Sequence, residues 1–199
     1  SMLRQLQAAD VITLGNAACG VTSIFAVQDY LASGGMWKLV LAFALLPLAV
    51  ILDFLDGRVA RMLGTQSVMG RELDSLADVI SFGVAPAVLA HGLGLGGLLD
   101  VAILLFFVAC GVARLARYNV TAESLSAGAA KVPYFEGTPI TTSLVLVAAL
   151  GGMLLMGRTG DLLPLGVVYV GPVTWHPISL LFVLSGCLMA SKTLRVPKP

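Results

Sequence analysis

The sequence predicts an all-α integral membrane protein of six transmembrane helices, with a short amphipathic helix ahead of the first. Three features carry that expectation. Hydrophobic residues make up 58% of the 199 positions and charged residues 12%, about half the charge of an ordinary soluble domain. Apolar runs recur from end to end without a polar linker, so one unit over residues 1–199 is expected. A chain crossing hydrocarbon must also pair its own backbone groups, which selects helices over open sheet.

A span needs about 20 mostly apolar residues, and six stretches supply them: 11–31, 36–61, 68–92, 97–119, 138–157 and 175–193. Ahead of them, Leu3 and Leu6 alternate with Arg4, Gln5 and Gln7, a pattern suited to a helix lying in the interface; a plain unstructured lead-in fits the same residues. The breaks fall at Ser33-Gly34-Gly35, at Gly64-Thr65-Gln66, between Gly92 and Gly97, along the polar stretch Thr121 to Gly137, and between Gly157 and Pro172. Pro47, Pro86, Pro139 and Pro177 stand where they bend or start helices. Gly111 and Ala113, or Gly151 and Gly152, are small enough for close helix packing. Cys19, Cys110 and Cys187 lie in apolar runs at no metal-ligand spacing and read as small buried hydrophobes. Residues 1–9 show no cleavable signal pattern, and the leading Ser1-Met2 leaves room for further residues ahead.

Orientation follows from Lys and Arg. With a cytoplasmic amino terminus, Arg4, Arg58, Arg61, Arg71, Arg114, Arg117, Lys131, Lys192, Arg195 and Lys198 fall on the cytoplasmic side, and only Lys38 and Arg158 lie opposite. The positive-inside rule therefore places both termini in the cytoplasm. Asp100, Lys38 and Arg158 read as exposed boundary charges, and His91 and His176 as interfacial histidines. A formal charge of +1 gives no sign of a nucleic-acid partner.

Ionisable groups at membrane depth are costly and default to being functional. Five of the eleven acidic residues fall between Asp53 and Asp78. On the second span Asp53, Asp56, Gly57, Ala60 and Arg61 share one helical face, and on the third Gly70, Asp74 and Asp78 repeat at i, i+4 and i+8. Facing each other across a short loop, the stripes bring four carboxylates together, and their repulsion demands protons or cations. An all-oxygen set without His or Cys selects hard ions, Mg²⁺ or Mn²⁺, with Ca²⁺ also allowed. Two such ions suit displacement at phosphorus, neutralising a diphosphate and polarising its bridging oxygen. Gly57 and Gly70 leave room for a ligand to approach the backbone. An interhelical salt-bridge network drawing on Arg58, Arg61 and Arg71, or a divalent-cation transport path, uses the same residues.

Residues 53–78 read D-F-L-D-G-R-V-A-R, eight residues, then G-R-E-L-D-S-L-A-D. This resembles, at all eight fixed positions, the signature of the CDP-alcohol phosphatidyltransferases, D-x2-D-G-x2-A-R-x8-G-x3-D-x3-D. The resemblance implies the CDP-alcohol phosphotransferase fold and a membrane enzyme that cleaves a CDP-linked donor, usually as a homodimer. It implies Asp53, Asp56 and Asp74 as metal ligands, with Asp78 at the second metal site and as the general base. It also implies Gly57, Ala60, Arg61 and Gly70, with Asn16 from the first span, around the cytidine diphosphate.

Further stretches, MLRQLQAADVIT, CGVARLARYNV, KVPYFEGTPITTS and SKTLRVPKP, are similar to the serine-using, fungal branch of that family, whose members often carry longer amino-terminal extensions. That branch implies CDP-diacylglycerol and L-serine as substrates among the membrane lipids, and an endoplasmic reticulum location. Inositol, inositol phosphate and glycerol phosphate are the acceptors of sister branches. Serine brings a carboxylate, and Arg114 and Arg117, at i and i+3, offer planar donor forks. Arg117 with Tyr118 is the expected carboxylate site, and Arg114 serves a phosphate or a structural pair; headgroup anchoring is the plain alternative for both arginines. Lys131, Tyr134 and Glu136 either close over the polar site or form a solvated connection.

Overall fold

The structure is a computed structural model that describes residues 7–64, 67–126, 134–191 and 195–197. Helices α1 (Ala8–Ser33) and α2 (Met36–Leu63) are joined by Gly34 and Gly35, both at positive φ, so the chain reverses in two residues that carry no Cβ penalty. Helix α3 (Val68–Asp78) starts at Ser67, whose hydroxyl accepts the Gly70 amide, an N-cap that satisfies one orphan donor. Six residues of π-helix, Val79–Val84, and α4 (Ala85–Gly92) continue it without a break. Pro86 removes an N–H that a regular ladder would use, and the wider turn lies directly before it.

Helix α5 (Leu98–Ser126) is followed by β1 (Tyr134–Glu136), a 3₁₀ turn, and α6 (Ser143–Leu155). A hairpin of β2 (Val168–Val170) and β3 (Val173–Trp175) leads through the 3₁₀ turn Pro177–Ser179 into α7 (Leu180–Ala190), and β4 (Arg195–Pro197) ends the chain's described part. Strand β4 pairs antiparallel with β1, Tyr134 opposite Pro197, while Val168 stands opposite Trp175 in the hairpin.

The chain forms two compact units, Ser1–Ala85 and Pro86–Pro199. In the first, α1 buries Thr13, Asn16, Gly20, Ser23 and Val27, and α2 buries Leu39, Ala42, Leu46, Ala49 and Asp56. Both stripes step by three and four residues once half-buried Asp53 is counted between Ala49 and Asp56, the spacing of a coiled-coil seam. Small residues let the helices approach, and the Ser23 hydroxyl donates to the Ala42 carbonyl at 2.8 Å. Phe25, Leu41, Leu48, Ile51 and Phe54 stay exposed, as expected of a surface solvated by lipid rather than water. In the second unit α5 packs on α7 through an edge-to-face pair, Phe107 and Phe182, at 5.2 Å. Gly186 lies against Phe106 and Cys110, and Gly111 against Ile140.

Among the described residues, four helices are long and apolar enough to cross a membrane: Ala8–Ser33, Met36–Leu63, Val68–Gly92 and Leu98–Thr121. The fifth and sixth expected spans are shorter apolar helices, Ile140–Leu155 and Pro177–Ala190. At 1.5 Å per residue these give about 24 and 21 Å, less than the roughly 30 Å of a hydrocarbon core. The two short β ribbons depart from the all-α expectation. The amphipathic lead-in, Lys131 and Lys192 lie outside the described residues.

Asp100 and His176 correct the sequence reading. Neither is exposed: Asp100 has no accessible surface and His176 has 4%. Asp100 accepts the Gly97 amide at 3.1 Å, the His176 amide at 3.0 Å and the His176 ring Nδ1 at 2.7 Å. The carboxylate caps the start of α5 and ties the end of the hairpin to it, a long-range contact that local polarity does not reveal. His91 and Arg158 are exposed as expected, and Lys38 is half-buried.

Candidate functional site

The packing seam of α2 does not stop at the apolar core. Asp53 and Asp56 occupy its next two positions, so the rule that buries Leu46 and Ala49 also turns these carboxylates toward α1 and α3. Carboxylate oxygens of Asp53, Asp56 and Asp74 lie within 4.8 Å of one another. Asp53 is within hydrogen-bonding reach of both Asp74 and Asp78. The four motif aspartates therefore converge; Asp56 and Asp78 are buried, and Asp53 and Asp74 half-buried.

Helix α1 supplies the third wall. Asn16 Nδ2 donates to Asp78 Oδ1 at 3.4 Å, and the Thr13 hydroxyl donates to Asp56 Oδ2 at 2.5 Å. The π-helical turn brings Ser81 onto the same helix, its hydroxyl donating to the Asn16 carbonyl at 2.9 Å. Asp10, also buried, accepts the Gln7 amide at 2.9 Å and caps α1. Of this α1 stripe the sequence reading picked out only Asn16. Asp10 and Thr13 carried a usable signal, polar residues spaced by three in an otherwise apolar helix.

Among the described residues, no salt-bridge network accounts for the cluster. Arg58 lies over the Phe54 ring at 5.2 Å, Arg61 is exposed, and Arg71 contacts Glu72 at 4.0 Å. Asp74 Oδ1 and Asn16 Oδ1 are buried without a hydrogen-bond partner among the described residues, and buried acceptors of that kind cost free energy unless something satisfies them. Converging carboxylates plus an orphaned acidic oxygen suit a hard divalent cation.

The glycines divide. A Cβ at Gly57 would meet nothing within 4 Å, whereas at Gly70 it would lie 3.1 Å from Asp10 Oδ1 and 3.2 Å from Ser67 Oγ. Gly57 thus fronts open space, while Gly70 also serves the α1–α3 contact. Ala60 is half-buried on α2, beside Gly57 on the shared face.

In the second unit Arg114 is buried and Tyr118 exposed. Arg117 is half-buried; its Nη1 donates to the Ala190 carbonyl at 3.2 Å and its Nη2 to that of Met189 at 3.5 Å. It therefore caps the end of α7, whose last carbonyls have no helical partner. Two of its five donors are engaged in this way. Side chains of Tyr134 and Glu136 lie outside the description.

The family model of the CDP-alcohol phosphatidyltransferases matches residues 6–186. The chain is 44% identical over 202 residues to a CDP-diacylglycerol–serine O-phosphatidyltransferase of Saccharomyces cerevisiae, covering all of this chain and 73% of the relative. The Bacillus subtilis protein of that name is 37% identical over 132 residues, covering 65% of this chain and 67% of its own length. One from Helicobacter pylori is 39% identical over 142 residues, with 69% and 54% covered, so the matched part is about half of that relative.

Proposed function

We propose, from the premise that this chain belongs to the CDP-alcohol phosphatidyltransferase family, that it transfers the phosphatidyl group of CDP-diacylglycerol to L-serine and releases cytidine monophosphate. The carrying observation is the convergence of Asp53, Asp56, Asp74 and Asp78 beside α1. The choice of serine is supported by the activity for which relatives from a fungus and from bacteria are named.

Asp53, Asp56 and Asp74 would hold a divalent ion, Mg²⁺ or Mn²⁺, with Asp78 contributing to a second. When bound, such ions neutralise the diphosphate and polarise its bridging oxygen. Asp78 acts as general base. Asn16 occupies one of its oxygens, which orients the other to take the proton of the serine hydroxyl as that oxygen attacks phosphorus. The new serine O–P bond replaces the bond to the bridging oxygen, which departs with cytidine monophosphate. Gly57, Ala60, Arg61, Gly70 and Asn16 are assigned to the cytidine diphosphate; the open space at Gly57 supports this. For the serine carboxylate we assign Arg117, Tyr118 and Arg114 on the chemistry of the guanidinium fork.

The family match across residues 6–186 supports one catalytic domain. We place Ile140–Leu155 and Pro177–Ala190 as fifth and sixth spans completed by their flanking residues, with both termini and the aspartates cytoplasmic by the distribution of Lys and Arg. An endoplasmic reticulum location and a homodimer are assigned by resemblance to the family's fungal branch.

The test is cytidine monophosphate release by purified protein from CDP-diacylglycerol and Mn²⁺, with serine, inositol, inositol phosphate or glycerol phosphate as acceptor. Release should depend on serine and vanish in Asp78→Asn. Equal or greater release with inositol overturns the acceptor assignment, and normal turnover by Asp78→Asn overturns its role as base.

A further inference from the structure

We infer that Thr13 is a positioning residue of the metal site, fixing the Asp56 carboxylate so that it presents one oxygen to a divalent cation. The inference rests on the two-metal reading above, since Asp56 is one of its proposed ligands. The relevant geometry lies wholly within the first unit. Thr13 and Asp56 are 3% and 5% exposed, so water does not compete freely for their bond. Forty-three residues separate them in sequence, yet the Thr13 hydroxyl donates to Asp56 Oδ2 at 2.5 Å.

A hydroxyl has one proton to give, and here two acceptors stand within reach: Asp56 Oδ2 at 2.5 Å and the Ala9 carbonyl, one turn back on α1, at 3.1 Å. Threonine in helices commonly bonds the carbonyl four residues earlier. The shorter distance and the formal charge of a carboxylate favour Asp56, because hydrogen bonds to ionised acceptors are the stronger ones. The bond also crosses from α1 to α2, so the carboxylate is held by a helix other than its own. Carboxylate rotation about its terminal torsion is otherwise broad and two-fold. With Oδ2 held by a hydroxyl, Asp56 offers its remaining oxygen lone pairs in a fixed direction, close to Asp53 and Asp74. Outer partners of this type tune metal affinity, typically by 10- to 100-fold when removed.

The neighbouring α1 residues do a different job. Asn16 addresses Asp78, and Asp10 is occupied by the helix-capping amide of Gln7. Thr13 is the α1 side chain whose hydroxyl meets a member of the three-carboxylate group directly, which makes its effect separable from theirs.

The experiment compares wild type, Thr13→Val, Thr13→Ala and Thr13→Ser in detergent, reading Mn²⁺ binding by electron paramagnetic resonance without any lipid donor, and then kcat and KM with serine. Thr13→Val keeps the shape and removes the donor. Its Mn²⁺ dissociation constant should rise about 10-fold or more, with turnover partly restored by excess Mn²⁺, while Thr13→Ser binds within about twofold of wild type. Should Thr13→Val fail to fold, Thr13→Ala is read by the same criterion, and the metal-induced rise in melting temperature gives a second readout. Unchanged Mn²⁺ affinity in a folded Thr13→Val or Thr13→Ala protein overturns the inference, as does a Thr13→Ser protein that binds as poorly as Thr13→Val. Failure of the wild type itself to bind Mn²⁺ overturns instead the two-metal reading on which it stands.

Discussion

Gly57→Ala separates a glycine kept for a ligand from one kept for packing. Gly57 lies within α2, where alanine is the better helix former by about 1 kcal/mol. Beyond its chain neighbours and its own helix backbone, an added methyl would meet no described atom within 4 Å, so no tertiary clash opposes that gain. The substituted protein should therefore fold and, without donor, match or exceed wild-type thermal stability in detergent. If the open space belongs to the cytidine diphosphate, the methyl collides with it, and kcat/KM for CDP-diacylglycerol should fall about 10- to 100-fold, equivalent to roughly 1.4 to 2.7 kcal/mol of lost transition-state stabilisation. Serine KM at saturating donor should change little. The assay pairs melting without substrate with steady-state cytidine monophosphate release over a range of donor concentrations. A stable Gly57→Ala enzyme with wild-type kcat/KM would refute the reasoning, because the space would then be empty for no ligand's sake.

Gly20→Ala should behave in the opposite way. Its Cβ would lie 2.5 Å from Ser81 Oγ, 2.9 Å from Ser81 Cα and 3.1 Å from Ile80 Cγ2, so α1 and the π-helical turn must separate; overpacking of this kind costs about 1 to 3 kcal/mol, seen as a lower melting temperature before any substrate is added. Asp100→Ala should lower stability by about 3 to 5 kcal/mol, since it strands buried donors of Gly97 and His176; unfolding in a graded denaturant checks this, and an unchanged midpoint would contradict the capping role.

Much of the site was legible because the chemistry demands what the pattern displays. Carboxylates at membrane depth are too costly to persist without a partner, and spacings of three and four put Asp53 with Asp56, and Asp74 with Asp78, on single helix faces. The turn at Gly34-Gly35 and the four long apolar helices could likewise be placed, since both depend on local backbone freedom and hydropathy. The spacing of Thr13 from Asp10 and Asn16 is a signal in the sequence, but which carboxylate its hydroxyl meets is decided only when α2 lies beside α1. Arg117 was read as a fork awaiting a ligand; the end of α7, 72 residues away in sequence, supplies carbonyls that occupy part of it.

By itself, then, the sequence determined where four long apolar helices lie, which faces carry acid and which family signature they compose, because these are properties of short-range periodicity and fixed spacing. Only the tertiary structure decided which partner each polar group meets: Thr13 for Asp56, Asn16 for Asp78, His176 for Asp100. Those choices arise from the packing of segments distant along the chain, where burial removes water as the competing partner and leaves a carboxylate as the strongest acceptor within reach.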